Sequence, residues 1–212
     1  MNKTTAITCL FVDIGGVLLS NGWDHNIRKQ AETDFKLDPG EMEGRHYLNL
    51  NIYEEDKLTL DEYLDRVVFH QQRPFTPTQF RDFMFAQSQP YPEMIELVSQ
   101  LKIRYGLKIV VVSNEAREIN DYRIRKFKLD EFVDFFISSC YVHLRKPDKD
   151  IFRLALDIAQ VPVERIVYIE NTELFVQVAE SLGIRSILHT DYRSTCAKLA
   201  VLGLENGEEI IP

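Results

Sequence analysis

The stretch Ile7-Thr8-Cys9-Leu10-Phe11-Val12-Asp13-Ile14-Gly15-Gly16-Val17-Leu18-Leu19 decides how this chain is read. The run from Ile7 to Val12 holds too few polar residues for a strand wet on one face, so it reads as a central parallel strand covered on both sides. It delivers one carboxylate, Asp13, onto a turn carrying Gly15 and Gly16. Open parallel sheets hold their ligands beyond the carboxyl ends of their strands. Glycines at that end let backbone groups come close to a ligand. An aspartate so placed is a candidate for attack on whatever binds there.

Three further segments of the same kind follow in order. Lys108 to Asn114 is a second apolar strand, ending in the hydroxyl of Ser113. Arg145-Lys146-Pro147-Asp148 puts a lysine just ahead of a helix start. Arg165 to Asn171 is an apolar strand ending in an acid, Glu170, and an amide. Strands are expected near residues 6–13, 108–113, 133–138, 165–169 and 185–189. Between the later ones, Ile151, Leu154, Ala155 and Ile158 are spaced for one buried helix face, as are Phe175, Ala179 and Leu182. Right-handed crossovers then give an α/β fold with a doubly wound, Rossmann-like, five-stranded parallel sheet. A polar, mostly helical stretch from about Asn21 to Pro90 interrupts the alternation, with helix starts at Thr59 and at Thr76-Pro77.

Over essentially the whole chain these four segments resemble the motifs of the haloacid dehalogenase superfamily of hydrolases. The subgroup most resembled includes the phosphatase domain of soluble epoxide hydrolases and small bacterial sugar-phosphate phosphatases with a helical cap. The resemblance implies a core of residues 1–20 and 91–212 with a helical cap, residues 21–90, inserted after the first strand. It implies that Asp13 is the nucleophile and that Ser113 and Lys146 hold the phosphoryl group. It further implies that Mg²⁺ is bound by Asp13, the backbone carbonyl of Gly15, Glu170 and Asn171. Asn114 and Arg117, just past the second strand, are candidates for substrate contact. The implied reaction is hydrolysis of a small phosphorylated metabolite through an aspartyl phosphate on Asp13.

Two departures fall on the chemistry. Gly15 stands where most phosphatases of the family carry a second aspartate that protonates the leaving oxygen. A positioned general acid contributes about 10²–10⁴-fold, so activity is expected to be low except toward good leaving groups. Asn171 stands where an acidic metal ligand is common, and Mg²⁺ prefers charged, hard oxygen, so weak metal binding is expected. These departures leave two alternatives open: a catalytically impaired module that binds a phosphorylated ligand or a protein, and a metal-independent 2-haloacid dehalogenase-like hydrolase. His25, beside Trp23 and Asp24, is a candidate to replace the missing acid. The run Arg117, Arg123, Arg125, Lys126 and Lys128 reads as a solvated helix face, with phosphate contact as the sharper alternative.

The formal net charge of −8 over 212 residues argues against a nucleic-acid or membrane-surface binder. Cys9, Cys140 and Cys196 are widely spaced and odd in number, the usage of reduced thiols. No leader-like segment precedes the first strand and no apolar run approaches membrane-spanning length. A soluble, cytoplasmic protein is expected, and the oligomeric state is left open.

Overall fold

Five strands lie parallel in the order β3-β2-β1-β4-β5. They are β1 (Cys9–Val12), β2 (Lys108–Ser113), β3 (Phe135–Ser138), β4 (Ile166–Glu170) and β5 (Arg185–Leu188). The computed structural model describes residues 5–205, so residues 1–4 and 206–212 of the expected core segment lie outside the described residues. The strand that opens the sequence argument is central, paired with β2 on one side and β4 on the other. All four of its residues are buried, because both faces of the sheet are covered.

Side chains alternate across a strand, and the two faces separate cleanly here. Leu10, Val12, Ile109, Val111, Val167 and Ile169 pack with Met94, Leu97, Val98 and Leu101 of α5 (Pro92–Tyr105). That layer also takes in Leu199 of α10 (Tyr192–Val201). Cys9, Phe11, Val110, Val112, Ile166 and Tyr168 pack instead with Ile151, Phe152 and Ala155 of α8 (Lys149–Ala159) and Ala179 of α9 (Glu173–Glu180). This is the doubly wound sheet that the apolar runs imply. Three expected strands, β1, β3 and β5, are shorter than their expected ranges. β3 starts only at Phe135 because Asp134 turns its carboxylate onto the backbone N–H of Ile109 at 2.8 Å.

Between β1 and α5 the chain forms α1 (His25–Asp34), α2 (Glu41–Glu54), α3 (Leu60–Val67) and α4 (Pro77–Ala86). Thr59 and Thr76 each open a helix with a capping box, closed by Glu62 and Gln79 respectively. These helices share their own apolar cluster, built on Tyr53, Tyr63, Leu64 and Phe80. Ala116 and Ile119, at the start of α6 (Arg117–Lys126), complete that cluster.

The two connectors that join the four helices to the sheet run side by side. The backbone N–H of Ser20 donates to Gln89 at 2.8 Å, and that of Tyr91 donates to Leu18 at 2.9 Å. Arg123 ties both from below: Nη2 donates to the Ser20 carbonyl at 2.6 Å and Nε to Ser88 Oγ at 3.1 Å. At Gly22, φ is +71° and a Cβ would lie 2.3 Å from Arg123 Nη2, so only glycine lets the guanidinium in. Among the described residues, no helix is long and apolar enough to cross a membrane.

Candidate active site

Asp13 sits where β1 ends, and its backbone N–H still donates to Ile169 of β4 at 3.0 Å. The last ladder bond therefore fixes the direction of the carboxylate. Lys146 reaches it from the loop between α7 (Ser139–Val142) and α8, with Nζ 3.0 Å from Asp13 Oδ1. The same ammonium donates to Glu170 Oε2 at 2.7 Å and to Tyr168 Oη at 3.1 Å. Asp13, Lys146 and Glu170 are 6 %, 1 % and 0 % exposed, so one cation serves two desolvated carboxylates. Burial, with the nearby Glu170, pushes the Asp13 carboxyl up, while Lys146 and a hydrogen bond from Ser113 pull it down. Burial opposes the charge of Lys146, and Asp13 and Glu170 outweigh it, holding the ammonium protonated above its usual range.

Asn114 holds the lysine loop in place. Its Oδ1 accepts from the Lys146 backbone N–H at 2.8 Å and its Nδ2 donates to the Lys146 carbonyl at 2.9 Å. Asn114 lines the cavity, yet both ends of its amide are occupied in positioning the cation. Arg117, expected to contact substrate, does not line that cavity. Its guanidinium is held by Asp56 at 2.7 Å and by the Cys140 carbonyl at 2.7 Å, so it binds the four-helix insertion to the core. His25 is likewise set apart: it opens α1, is half-exposed, and meets Glu43 at 3.0 Å. Within the basic run Arg123 is 2 % exposed and donates to Glu115 at 2.6 Å, so that run is not one solvated face.

Glu170 spends both oxygens inside the protein. Oε2 accepts from Lys146 and from the Tyr168 hydroxyl, and Oε1 accepts from the Thr172 N–H at 2.8 Å. In this arrangement it anchors Lys146. Asn171 and Gly15 do line the cavity with Asp13. Asn21, which the sequence argument passed over, packs beside them, with Oδ1 3.5 Å from where a Cβ on Gly15 would stand. Asn171 lies so close to Gly16, whose φ is +73°, that a Cβ there would come within 1.9 Å of Nδ2.

The cavity above Asp13 has a volume of about 270 Å³. Its floor is Asp13, Ser113 and Lys146, and its far wall is Trp23, His46, Leu50, Tyr53 and Glu54 from the four-helix insertion. That wall is an ordered polar and aromatic surface. Trp23 Nε1 donates to Tyr63 Oη at 2.8 Å, which leaves the Tyr63 proton for His46 Nδ1 at 2.7 Å. Burial holds His46 down to about 4, so the imidazole is neutral. Tyr53 stacks on Tyr63 at 4.1 Å between centroids. Glu54 Oε2 accepts from Arg145 at 2.7 and 2.9 Å, beside Lys146 in the chain.

A buried carboxylate at a strand end, a lysine against it and a helical wall over both make a candidate hydrolase site on an α/β core. The chain belongs to the haloacid dehalogenase-like hydrolases, whose family pattern it matches over residues 7–183. Among its relatives is the phosphorylated carbohydrates phosphatase of Thermotoga maritima, 27 % identical over 133 residues, which are 63 % of this chain and 57 % of that one. Bifunctional epoxide hydrolase 2 of Rattus norvegicus is 27 % identical over 138 residues, 63 % of this chain and 24 % of that one. The matches thus span little more than half of the first relative and a quarter of the second. In fold, the chain is similar to a HAD family enzyme of Bacteroides thetaiotaomicron solved with magnesium and inorganic phosphate. That likeness has a TM-score of 0.70 at 19 % identity, over 97 % of this chain and 98 % of that one. L-2-haloacid dehalogenase of Xanthobacter autotrophicus is more distant, with a TM-score of 0.60 at 14 % identity over 93 % and 84 %.

Proposed function

We propose that the protein hydrolyses the phosphate monoester of a small metabolite through a phosphoryl group carried on Asp13. The observation that carries this is Lys146 Nζ at 3.0 Å from Asp13 Oδ1, at the floor of a cavity of about 270 Å³. Phosphoryl transfer asks for an aligned nucleophile and for positive charge on the equatorial oxygens. Asp13 supplies the first. Lys146 and the Ser113 hydroxyl, on the same floor, supply donors for the second. Attack forms an oxygen–phosphorus bond from Asp13 and breaks the bond to the leaving oxygen. Water then opens the acyl phosphate and restores the carboxylate.

The donor set also fits Mg²⁺, which is commonly held by one or two carboxylates together with waters and substrate phosphate. Asp13, the Gly15 carbonyl and the Asn171 amide oxygen would hold it. When bound, it would neutralise charge on the transferring group. Among the described residues no group of three or more His, Cys, Asp or Glu could hold a metal, so the affinity should lie below that of a site with a second acid. The names of the relatives, a phosphorylated carbohydrates phosphatase and a bifunctional epoxide hydrolase, support the hydrolase class and the phosphate substrate.

The test is hydrolysis of 4-nitrophenyl phosphate by wild type and Asp13→Asn, with Mg²⁺ and with chelator. Turnover that needs Asp13 and falls with chelator supports the reading. Equal rates for both proteins would refute it and leave a phospho-ligand binder.

A further inference from the structure

With glycine at position 15, no core side chain stands ready to protonate the departing oxygen, but the wall of the cavity carries one. In-line attack by Asp13 puts that oxygen on the face of phosphorus turned away from Asp13. In this cavity that is the side formed by Trp23, His46, Leu50, Tyr53 and Glu54. The groups that ionise around it are few. His46 offers Nδ1 only as an acceptor for Tyr63 and is held neutral by burial. Tyr53 is pushed by burial far above the range of a useful acid. Glu115 stands beside Ser113 on the floor, where that hydroxyl donates to it at 3.4 Å, and so lies on the wrong side of phosphorus.

Glu54 remains. It ends α2, its side chain is 18 % exposed, and Oε2 takes both Arg145 contacts. Burial lifts its carboxyl above the ordinary range, with Arg145 and Lys146 pulling down and Glu115 adding to the lift. A raised carboxyl is what acid catalysis near neutrality requires.

We propose that Glu54, carried by α2 on the far wall of the cavity, donates the proton to the leaving oxygen of an alkyl phosphate. The assignment rests on the phosphatase reading above. As the phosphorus–oxygen bond breaks, the Glu54 proton passes to that oxygen and a neutral alcohol leaves. The Glu54 carboxylate stays paired with Arg145, and it takes a proton back from the water that opens the acyl phosphate on Asp13.

The test compares kcat/KM for glycerol 3-phosphate and for 4-nitrophenyl phosphate in wild type and Glu54→Gln. This constant reports only steps up to leaving-group departure, and nitrophenolate departs with little need of a proton. The glycerol-to-nitrophenyl ratio is expected to fall about 10²-fold or more. A ratio within about threefold of wild type would overturn the assignment, because a structural role of Glu54 lowers both substrates together. Glu54→Asp, which keeps the charge opposite Arg145 and withdraws the carboxyl by one methylene, should lower the same ratio and covers the case in which the glutamine variant does not fold. If wild type turns over neither substrate, the phosphatase reading fails first and this assignment falls with it.

Discussion

Lys146→Met isolates what the buried ammonium does. Methionine keeps the length and flexibility of the side chain and so retains much of its packing near Phe175, over whose ring Nζ sits at 4.9 Å. What it removes is the one positive charge between Asp13 at 3.0 Å and Glu170 at 2.7 Å. Breaking a buried pair from one side costs about 3–5 kcal/mol, because the remaining charge is stranded. Here two are stranded, although uptake of one proton limits the damage. At pH 8 the variant should therefore lose about 3–5 kcal/mol of unfolding free energy, a large share of the 5–15 kcal/mol typical of a domain.

The pH dependence has a definite sign. Without the lysine, the Asp13 carboxyl, already raised by burial, loses the charge that pulls it down, and the folded state binds more protons than the unfolded chain. Stability of the variant then falls as pH rises, so its deficit should be smaller at pH 5 than at pH 8. Lys146→Met with Glu170→Gln removes one of the stranded charges and should recover about 2 kcal/mol of the loss. Urea unfolding followed by circular dichroism at the two pH values, in all four members of the cycle, gives these quantities. A deficit below about 1 kcal/mol at pH 8, or one that does not change with pH, would show that the three groups are hydrated and that this reasoning is wrong.

Three further expectations follow from the geometry. His46 is held near 4 against 6.5 in an open chain, so the folded state takes up fewer protons between those values. Its contribution is complete above pH 6.5 and is lost as pH falls toward 4, an effect of ~3 kcal/mol; unfolding midpoints of wild type and His46→Gln should converge across that window, and parallel curves would count against it. Gly16→Ala must accept φ of +73° with its Cβ 1.9 Å from Asn171 Nδ2, so it should cost about 1–2 kcal/mol from the backbone alone and raise the Mg²⁺ concentration needed for half-maximal turnover. Tyr53→Phe removes a buried hydroxyl that has no partner, so the protein should gain about 1 kcal/mol in urea unfolding, and a loss of stability would count against this.

The parts of the site that sequence revealed are those fixed by the end of a strand. Asp13 and Ser113 each close an apolar run, and such a run has one place in a parallel sheet. The role of Glu170 was legible in principle. Tyr168 lies two residues earlier on the same face of β4, and the two side chains bond to each other and to Lys146. The far wall resisted because α2 inverts the usual pattern: His46 is buried while Tyr47 and Leu48 are 78 % and 79 % exposed, so hydrophobic periodicity points the wrong way. Arg123 and Arg117 were hidden for a related reason. Their partners, Glu115 and Asp56, come from the end of β2 eight residues away and from the turn after α2, 61 residues away, and neither pairing is a neighbour spacing along one helix.

The chain enters the inserted helices after Leu19 and comes back at Pro90, and these two residues are bridged to each other. Some seventy residues thus hang from a single doorway, sewn shut by the Ser20 and Gln89 bonds and bolted by Arg123. A sequence exchanged within that loop returns to the same point, so the five strands need not register the change. Under the function proposed above, attack lies with the strand ends while the proton donor and the choice of alcohol lie with this loop, so the two sets of residues can be revised separately.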